Sequence, residues 1–231
     1  MKDEQKIIQM FQQLPLFKHL TDQELYSVVT LAVTRQYKKG MHVFMQGDPV
    51  ENVYFLHKGR VKVYKTDING KEQIVNILKP GDMFPHQGFF RKGDYPAHTE
   101  VTEEAVITHI PITSFENFLI QNPEITIKLF RVLGDIIVDL QNRLEEKLLH
   151  NTHGQVVLLL VRLAKLHGGQ EDLDGWVQLN TVFTNRELAN MIGSSRETVN
   201  RIIAKLKKKD ILKMNDHYMA LDVEGLENEL I

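Results

Sequence analysis

Apolar positions along this chain change period twice. Up to about Tyr37 they fall at helical spacing: Leu14, Leu16, Phe17 and Leu20, then Leu25, Val28, Val29 and Ala32. Thr21, with Glu24 three residues later, makes a capping box ahead of the second group. From there to Pro111 the apolar runs are short and strand-like, punctuated by Gly40, Gly47, Gly59, Gly70 and Gly81. Residues 53–56 and 61–64 read as strands on either side of Lys58-Gly59. Asp67-Ile68-Asn69-Gly70 reads as a hairpin turn, because Asn-Gly adopts the left-handed backbone that tight hairpins need. Ile74, Ile77 and Leu78 follow, and strands resume at 99–101 and 105–110. Many short strands with regular turns predict a jelly-roll β-barrel.

The helical period returns at Ser114. After Pro123 the stripe Ile125, Leu129, Val132, Leu133, Ile136, Ile137, Leu140, Leu144 and Leu148 predicts one long helix over 123–149. Spacings of three and four over several turns suit a coiled-coil seam and predict a homodimer. The alternative is a helix packed on its own β domain. Residues 150–154, His-Asn-Thr-His-Gly, break the stripe and predict a hinge. A further helix over 155–167 buries Val156, Leu159, Leu160 and Leu163 and ends at Gly168-Gly169. The fold class is α+β, with domains expected at 1–150 and 151–231.

Residues 183–212 are the most informative. Thr184 caps a first short helix, with Glu187 completing a capping box, and Leu188, Ala189 and Ile192 form its apolar face. Gly193 supplies a turn, and Ser194 or Ser195 caps a second helix. Val199, Ile202, Ile203 and Leu206 are the inward face of that helix. Arg196, Glu197, Asn200, Arg201 and Lys205 are left outward. Two helices joined by a glycine turn, with a polar face on the second, predict a helix-turn-helix. After it, residues 211–214 and 218–221 flank Asn215-Asp216-His217 as a wing hairpin, and Asp222 caps a final helix.

Charge sharpens this reading. Between Thr184 and Lys213 stand eight basic residues against three acidic, a local +5 in a chain of formal net charge −2. A basic face on a mildly acidic chain is the electrostatic footprint of nucleic-acid binding. The alternative is a helical hairpin with a solvated face. The 231 residues contain no cysteine, which excludes disulfides, thiolate nucleophiles, cysteine-ligated zinc and the usual iron–sulfur ligation. The charged N-terminus, MKDEQKIIQMFQQL, has no apolar signal core, and no apolar run is long enough to span a membrane. A cytoplasmic protein without membrane contact is expected. A metal-dependent β-roll enzyme needs clustered ligands, but His42, His57, His86, His98 and His109 are scattered, and no nucleophile elbow or phosphate-binding glycine loop occurs. No catalytic residue, metal or cofactor is expected. His86 or His98 as a haem ligand is the one cofactor alternative. His150 and His153 read as hinge residues.

The order of β-roll, long helix, hinge and winged helix-turn-helix resembles the CRP/FNR family of bacterial transcription regulators over nearly the whole chain. The glycine ladder with Gly47-Asp48, residues 53–55, Asn69-Gly70 and Pro80-Gly81-Asp82 resembles the family's sensor domain. Gly193-Ser194-Ser195-Arg196-Glu197-Thr198-Val199-Asn200-Arg201 resembles its recognition helix. The resemblance implies a homodimer on a palindromic promoter site in double-stranded DNA, with RNA polymerase as a further partner. Arg196, Glu197 and Arg201 would read base edges, and Ser195 and Thr184 would position the backbone. Asn200, Lys205 and Lys208 complete the expected DNA-binding set. The chemistry agrees: arginine can donate twice to guanine and a carboxylate can accept from cytosine. Glu197 as a helix cap through Ser194 is the alternative role.

The chain departs from the family at the cyclic-nucleotide cassette. His86 stands where the resemblance implies a ribose-binding glutamate, and Tyr95-Pro96 where it implies an Arg-Ser or Arg-Thr pair for the phosphate. Leu140-Gln141 stand where hydroxyl residues of the long helix are implied. Arg91 or Lys92 could supply the charge only by swinging in from a loop tip. A buried cyclic phosphate needs a charged donor, so cyclic AMP is not the expected effector. Phe84, His86, Phe89, Tyr95, Leu140 and Gln141 form the candidate pocket for a small-molecule effector of unknown identity. Regulation by abundance, with no effector, is the alternative.

Overall fold

A computed structural model describes residues 2–230, apart from positions 15, 18, 19, 91, 173, 174 and 216. Arg91 and the wing-turn Asp216 therefore lie outside the described residues. The chain divides into two compact units, Met1–Ile137 and Val138–Ile231.

The first unit opens with helices α1 (Lys2–Gln12) and α2 (Asp22–Val29). The expected capping box at Thr21 and Glu24 is present: the Thr21 hydroxyl accepts from the Glu24 N–H, and the Glu24 carboxylate accepts from the Thr21 N–H at 2.8 Å. Helix does not continue to Tyr37 as expected. Residues Val33–Tyr37 form strand β1 instead, an edge strand paired antiparallel with β5 (His98–Pro111). Pairing with β5, including a 2.7 Å hydroxyl contact between Thr34 and Thr108, overrides a periodicity too short to decide the type of element.

The remaining strands are β2 (Asn52–Thr66), β3 (Glu72–Leu78) and β4 (Met83–Phe84). The sheet order is β1-β5-β2-β3, with β4 also on β2. The turn at residues 67–70 joins β2 to β3 as expected, with the Gly70 N–H donating to the Asp67 carbonyl at 3.0 Å. The expected breaks within β2 and β5 are absent: each is one long strand. Register shifts against β5 between Leu56 and Val61 mark bulges around Lys58-Gly59. They change the alternation of the strand, so that Leu56 and Val61, an odd number apart, face the same layer. Gly59 is required there. Its φ is +86°, and a Cβ would stand 2.2 Å from the Glu104 carbonyl oxygen.

Residues 53–56 are buried throughout because both faces of β2 are covered. Tyr54 and Leu56 join an interior layer with Phe44, Val61, Phe84, Tyr95 and Ile107. Val53 and Phe55 face a second layer, built by α1, α2 and α3 (Ile112–Gln121), where Phe11, Phe17 and Phe115 surround Phe55. His57 lies in that second layer, its Nε2 2.8 Å from the Thr108 hydroxyl, and burial pushes its pKa down to about 4.

Helix α4 (Pro123–Leu149) runs across the division between the units. The second unit continues with α5 (Thr152–His167), β6 (Gly168–Glu171), β7 (Trp176–Leu179), α6 (Asn185–Ile192), α7 (Arg196–Lys208), β8 (Leu212–Met214), β9 (Met219–Asp222) and α8 (Val223–Asn228). Its antiparallel sheet has the order β6-β7-β9-β8. The expected hinge shrinks to His150-Asn151, because the Asn151 side chain accepts from the Gly154 N–H at 3.0 Å and starts α5 early. Gly168 does not end α5 in a left-handed cap but passes directly into β6. Asp222 caps α8 as expected, accepting from the Gly225 N–H at 2.9 Å. Among the described residues no helix is long and apolar enough to cross a membrane.

Candidate nucleic-acid interface

The second unit places α6 and α7 on a shared apolar base. Leu188, Ala189 and Ile192 from α6 and Val199, Ile202, Ile203 and Leu206 from α7 are all buried. The capping box at α6 is complete, with the Glu187 carboxylate accepting from both the N–H and the hydroxyl of Thr184 at 2.8 Å. Thr184 therefore spends its hydroxyl inside the helix start. Gly193 turns the chain in the left-handed region at φ 71°, ψ 30°, where a side chain is costly. Ser195, not Ser194, caps α7, accepting from the Thr198 N–H at 3.2 Å.

Burial of one face leaves the other exposed. The side chains of Arg196, Lys205 and Lys208 are exposed and make no hydrogen bond or ion pair among the described residues. Arg201 reaches the Thr198 hydroxyl at 3.4 Å. Glu197, also exposed, is held below the usual carboxylate range by its own backbone N–H and the Ser195 hydroxyl, then by Arg196 and Arg201. An ionised carboxylate lies among arginines on an open helix surface, one turn from Arg201. That arrangement presents acceptor and donors together, as base edges in a major groove require. Asn200 is less free: its carbonyl accepts from the Asn185 side chain in the first turn of α6. Sequence reasoning missed Asn185, because nothing local to it announces a partner fifteen positions away.

The lysine run at the end of α7 separates by contact. Lys207 donates to the Met214 carbonyl of β8 at 2.8 Å, fastening α7 to the wing. Lys209 donates to Glu229 at 2.6 Å, and Glu229 also lies 3.3 Å from His153. Lys208 alone of the three is free among the described residues.

Within the first unit the candidate effector residues divide between two layers. Phe84 and Tyr95 lie together in the interior layer, where Phe44 stacks on Tyr95 with centroids 3.8 Å apart and Tyr54 stacks on Phe84 at 5.4 Å. The Tyr95 hydroxyl is satisfied by the backbone of Asn52 at 3.2 Å. Phe89 faces the other layer, 5.7 Å from Phe115. His86, just past β4, is pushed below the usual imidazole value by burial. Leu140 and Gln141 are exposed on α4. Among the described residues no group of three metal-ligating side chains comes together.

Residues 34–122 match the cyclic nucleotide-binding domain family, and residues 154–229 match the Crp-like helix-turn-helix domain family. The chain belongs to the CRP/FNR family of transcription regulators. Among similar members, the anaerobic regulatory protein of Bacillus subtilis (strain 168) is 26% identical over 204 residues, covering 87% of this chain and 85% of that protein. A CRP-like cAMP-activated global transcriptional regulator of Mycobacterium tuberculosis (strain CDC 1551 / Oshkosh) is 29% identical over 178 residues, covering 75% and 79%. FixK2 from Bradyrhizobium japonicum shares the fold, with a TM-score of 0.73 and 20% identity over 85% of this chain and 96% of that one. The CRP/FNR assignment makes this chain a DNA-binding transcription regulator, in which α6 and α7 are the helix-turn-helix and residues 212–222 carry the wing strands.

Proposed function

We propose that this CRP/FNR regulator acts as a homodimer that reads a palindromic promoter site with its two α7 helices. The observation that carries the reading is the open face of α7, where Arg196, Glu197, Arg201, Lys205 and Lys208 stand exposed above a buried apolar base. Arg196, Glu197 and Arg201 contact bases. Ser195 and Thr184 set the helix ends, Asn200 is braced by Asn185, and Lys205 and Lys208 meet phosphate. Residues 1–150 are the sensor-type domain with its dimerisation helix, and residues 151–231 are the DNA-binding domain. RNA polymerase is the partner through which the bound dimer acts on transcription.

Dimerisation is supported by α4. Ile125 and Leu129 are buried, but Phe130, Ile137, Leu140, Leu144 and Leu148 are exposed, Phe130 at 68% and Leu144 at 60%. Their spacings of seven, three, four and four make a continuous seam, and an apolar stripe of this length on a lone chain calls for a partner. Sedimentation of the full chain should give twice the monomer mass. A monomer at micromolar concentration contradicts the reading.

Cyclic AMP is not the effector in this reading. The interior of the β-roll is filled by Phe44, Tyr54, Phe84 and Tyr95, and neither neutral His86 nor Tyr95 supplies the charged donor that a buried phosphate needs. The same filling favours action without any small-molecule effector. Millimolar cyclic AMP should leave the melting temperature of the protein unchanged, since only a ligand that binds the folded state raises it. A rise of several degrees overturns this part of the reading.

DNA binding itself is tested by fluorescence anisotropy on a duplex with inverted TGTGA-like half-sites against a scrambled duplex at near-physiological salt. Selective binding to the palindrome by the protein alone supports an active dimer without ligand. Equal, weak binding to both refutes this operator.

A further inference from the structure

We propose that Lys147 is a positioning residue that fastens the last turn of α4 to the turn of the helix-turn-helix, so that the seam helix and the recognition helix move as one body. The proposal rests on the DNA-binding reading above for its consequence, but not for its geometry, which lies wholly within the second unit.

Several side-chain contacts hold the end of α4, among them a 3.4 Å bond that the Lys147 ammonium donates to the Gln155 side-chain oxygen. The Lys147 ammonium donates to the Ile192 carbonyl at 2.7 Å. Ile192 is the last residue of α6, and its carbonyl is among those that a helix leaves without an internal partner. A cation there satisfies the acceptor and meets the negative end of the helix dipole. The Gln155 side chain of α5 donates to the carbonyls of His150 and Lys147 at 2.8 and 3.3 Å, closing the end of α4 itself. Glu146, one residue before Lys147, pairs with Arg162 of α5 at 2.7 Å, both side chains largely covered. The α5 contacts fix where the last turn of α4 lies. The Lys147 contact carries that position to Ile192, immediately before Gly193, where the chain turns into α7.

The arrangement has a directional logic. Gly193 is the most pliant point between the two helices, and Lys147 grips the chain on its α6 side. Leu144 and Leu148, the last apolar seam residues of α4, flank Lys147 in sequence and are exposed. Whatever packs on that seam therefore sets the residue that holds the turn.

Hydrogen–deuterium exchange on the full chain tests the tether without DNA, read at the amides of Gly193 and Ser194, which both donate to the Ala189 carbonyl. Lys147→Met keeps the stem and removes the donor. It should speed exchange there by about tenfold, the scale of one charge-assisted hydrogen bond. Lys147→Arg retains a cation and should restore most of the protection, a rescue that a merely space-filling role does not need. Anisotropy on the palindrome and the scrambled duplex should show the Met variant losing about tenfold in preference while the Arg variant keeps it. Unchanged exchange in Lys147→Met overturns the tether. Faster exchange with an unchanged preference overturns its proposed role in recognition. A wild-type protein with no preference for any palindrome refutes the operator reading, and the exchange result still decides the tether.

Discussion

Inside the β-roll, the Tyr95 hydroxyl turns back onto the Asn52 backbone, and Tyr95 and Phe84 cover the rings of Phe44 and Tyr54. On α7, the head groups of Arg196, Lys205 and Lys208 make no hydrogen bond among the described residues, and Glu197 stays ionised in the open. The first region uses its chemistry up in folding. The second is held by its buried face, its Ser195 cap and the contacts of Lys207 and Lys209, and keeps Arg196, Glu197, Lys205 and Lys208 for something else. Substitutions should therefore register as lost stability in the roll and as lost recognition on α7.

The largest effect is expected from Phe44→Ala, which removes a ring stacked against Tyr95 and in contact with Tyr54 and Phe84. It should cost about 3–5 kcal/mol of folding stability, read by urea denaturation. A loss below about 1 kcal/mol would mean that the interior tolerates a void, and the contrast between the two regions would fail. Next is Glu197→Ala, which should relax base preference at one pair per half-site by about tenfold or more. Its urea unfolding midpoint should stay close to that of the wild type, because an exposed side chain is removed. A large stability loss with intact base preference would reverse the assignment.

How much of this was legible in the sequence differs by element. The caps at Thr21, Thr184 and Asp222 could be read, and that of α7 narrowed to Ser194 or Ser195, because a cap and its partner lie within three residues. The buried faces of α6 and α7 could be read because helical spacing is local. Strand β1 was missed because its residues gain their meaning from β5, some seventy positions on. The continuity of β2 and β5 was hidden by Gly59, which looks like a turn but serves a bulge pressed against the Glu104 carbonyl. Strand β6, Gly168–Glu171, has no apolar side chain and pairs through its backbone alone. At the interface, the outward residues of α7 could be read, but not which lysines were already engaged: Lys207 and Lys209 find Met214 and Glu229 only in three dimensions.

Acid sharpens the same comparison at a smaller scale. His57 has a folded-state pKa of about 4, below the unfolded value near 6.5, so folding favours its neutral form. Its contribution is whole above about pH 6.5 and is lost as the pH falls through that value toward 4. The loss should be of order 2 kcal/mol after discounting for the part of the ring that water reaches. His57→Gln keeps a partner for Thr108 without a titrating charge and should make the fall in melting temperature between pH 6.5 and 4.5 shallower, the remainder belonging to His86 and His109, which burial also pushes down. An equally steep fall in that variant assigns the acid sensitivity elsewhere.

The smallest effect belongs to Lys208→Ala. It should weaken binding to specific and scrambled duplexes alike and lower the slope of log affinity against log salt by about 1. A change confined to the specific duplex would make Lys208 a base reader.

The central claim, that an α7 pair reads a palindrome, is met most directly by selecting duplexes from a random pool with the wild-type protein and with Glu197→Ala in parallel. The account predicts an inverted repeat with half-site centres about one helical turn apart, and relaxed preference at one base pair per half-site in the variant. Enrichment of no inverted repeat, or an identical preference with Glu197 removed, contradicts it.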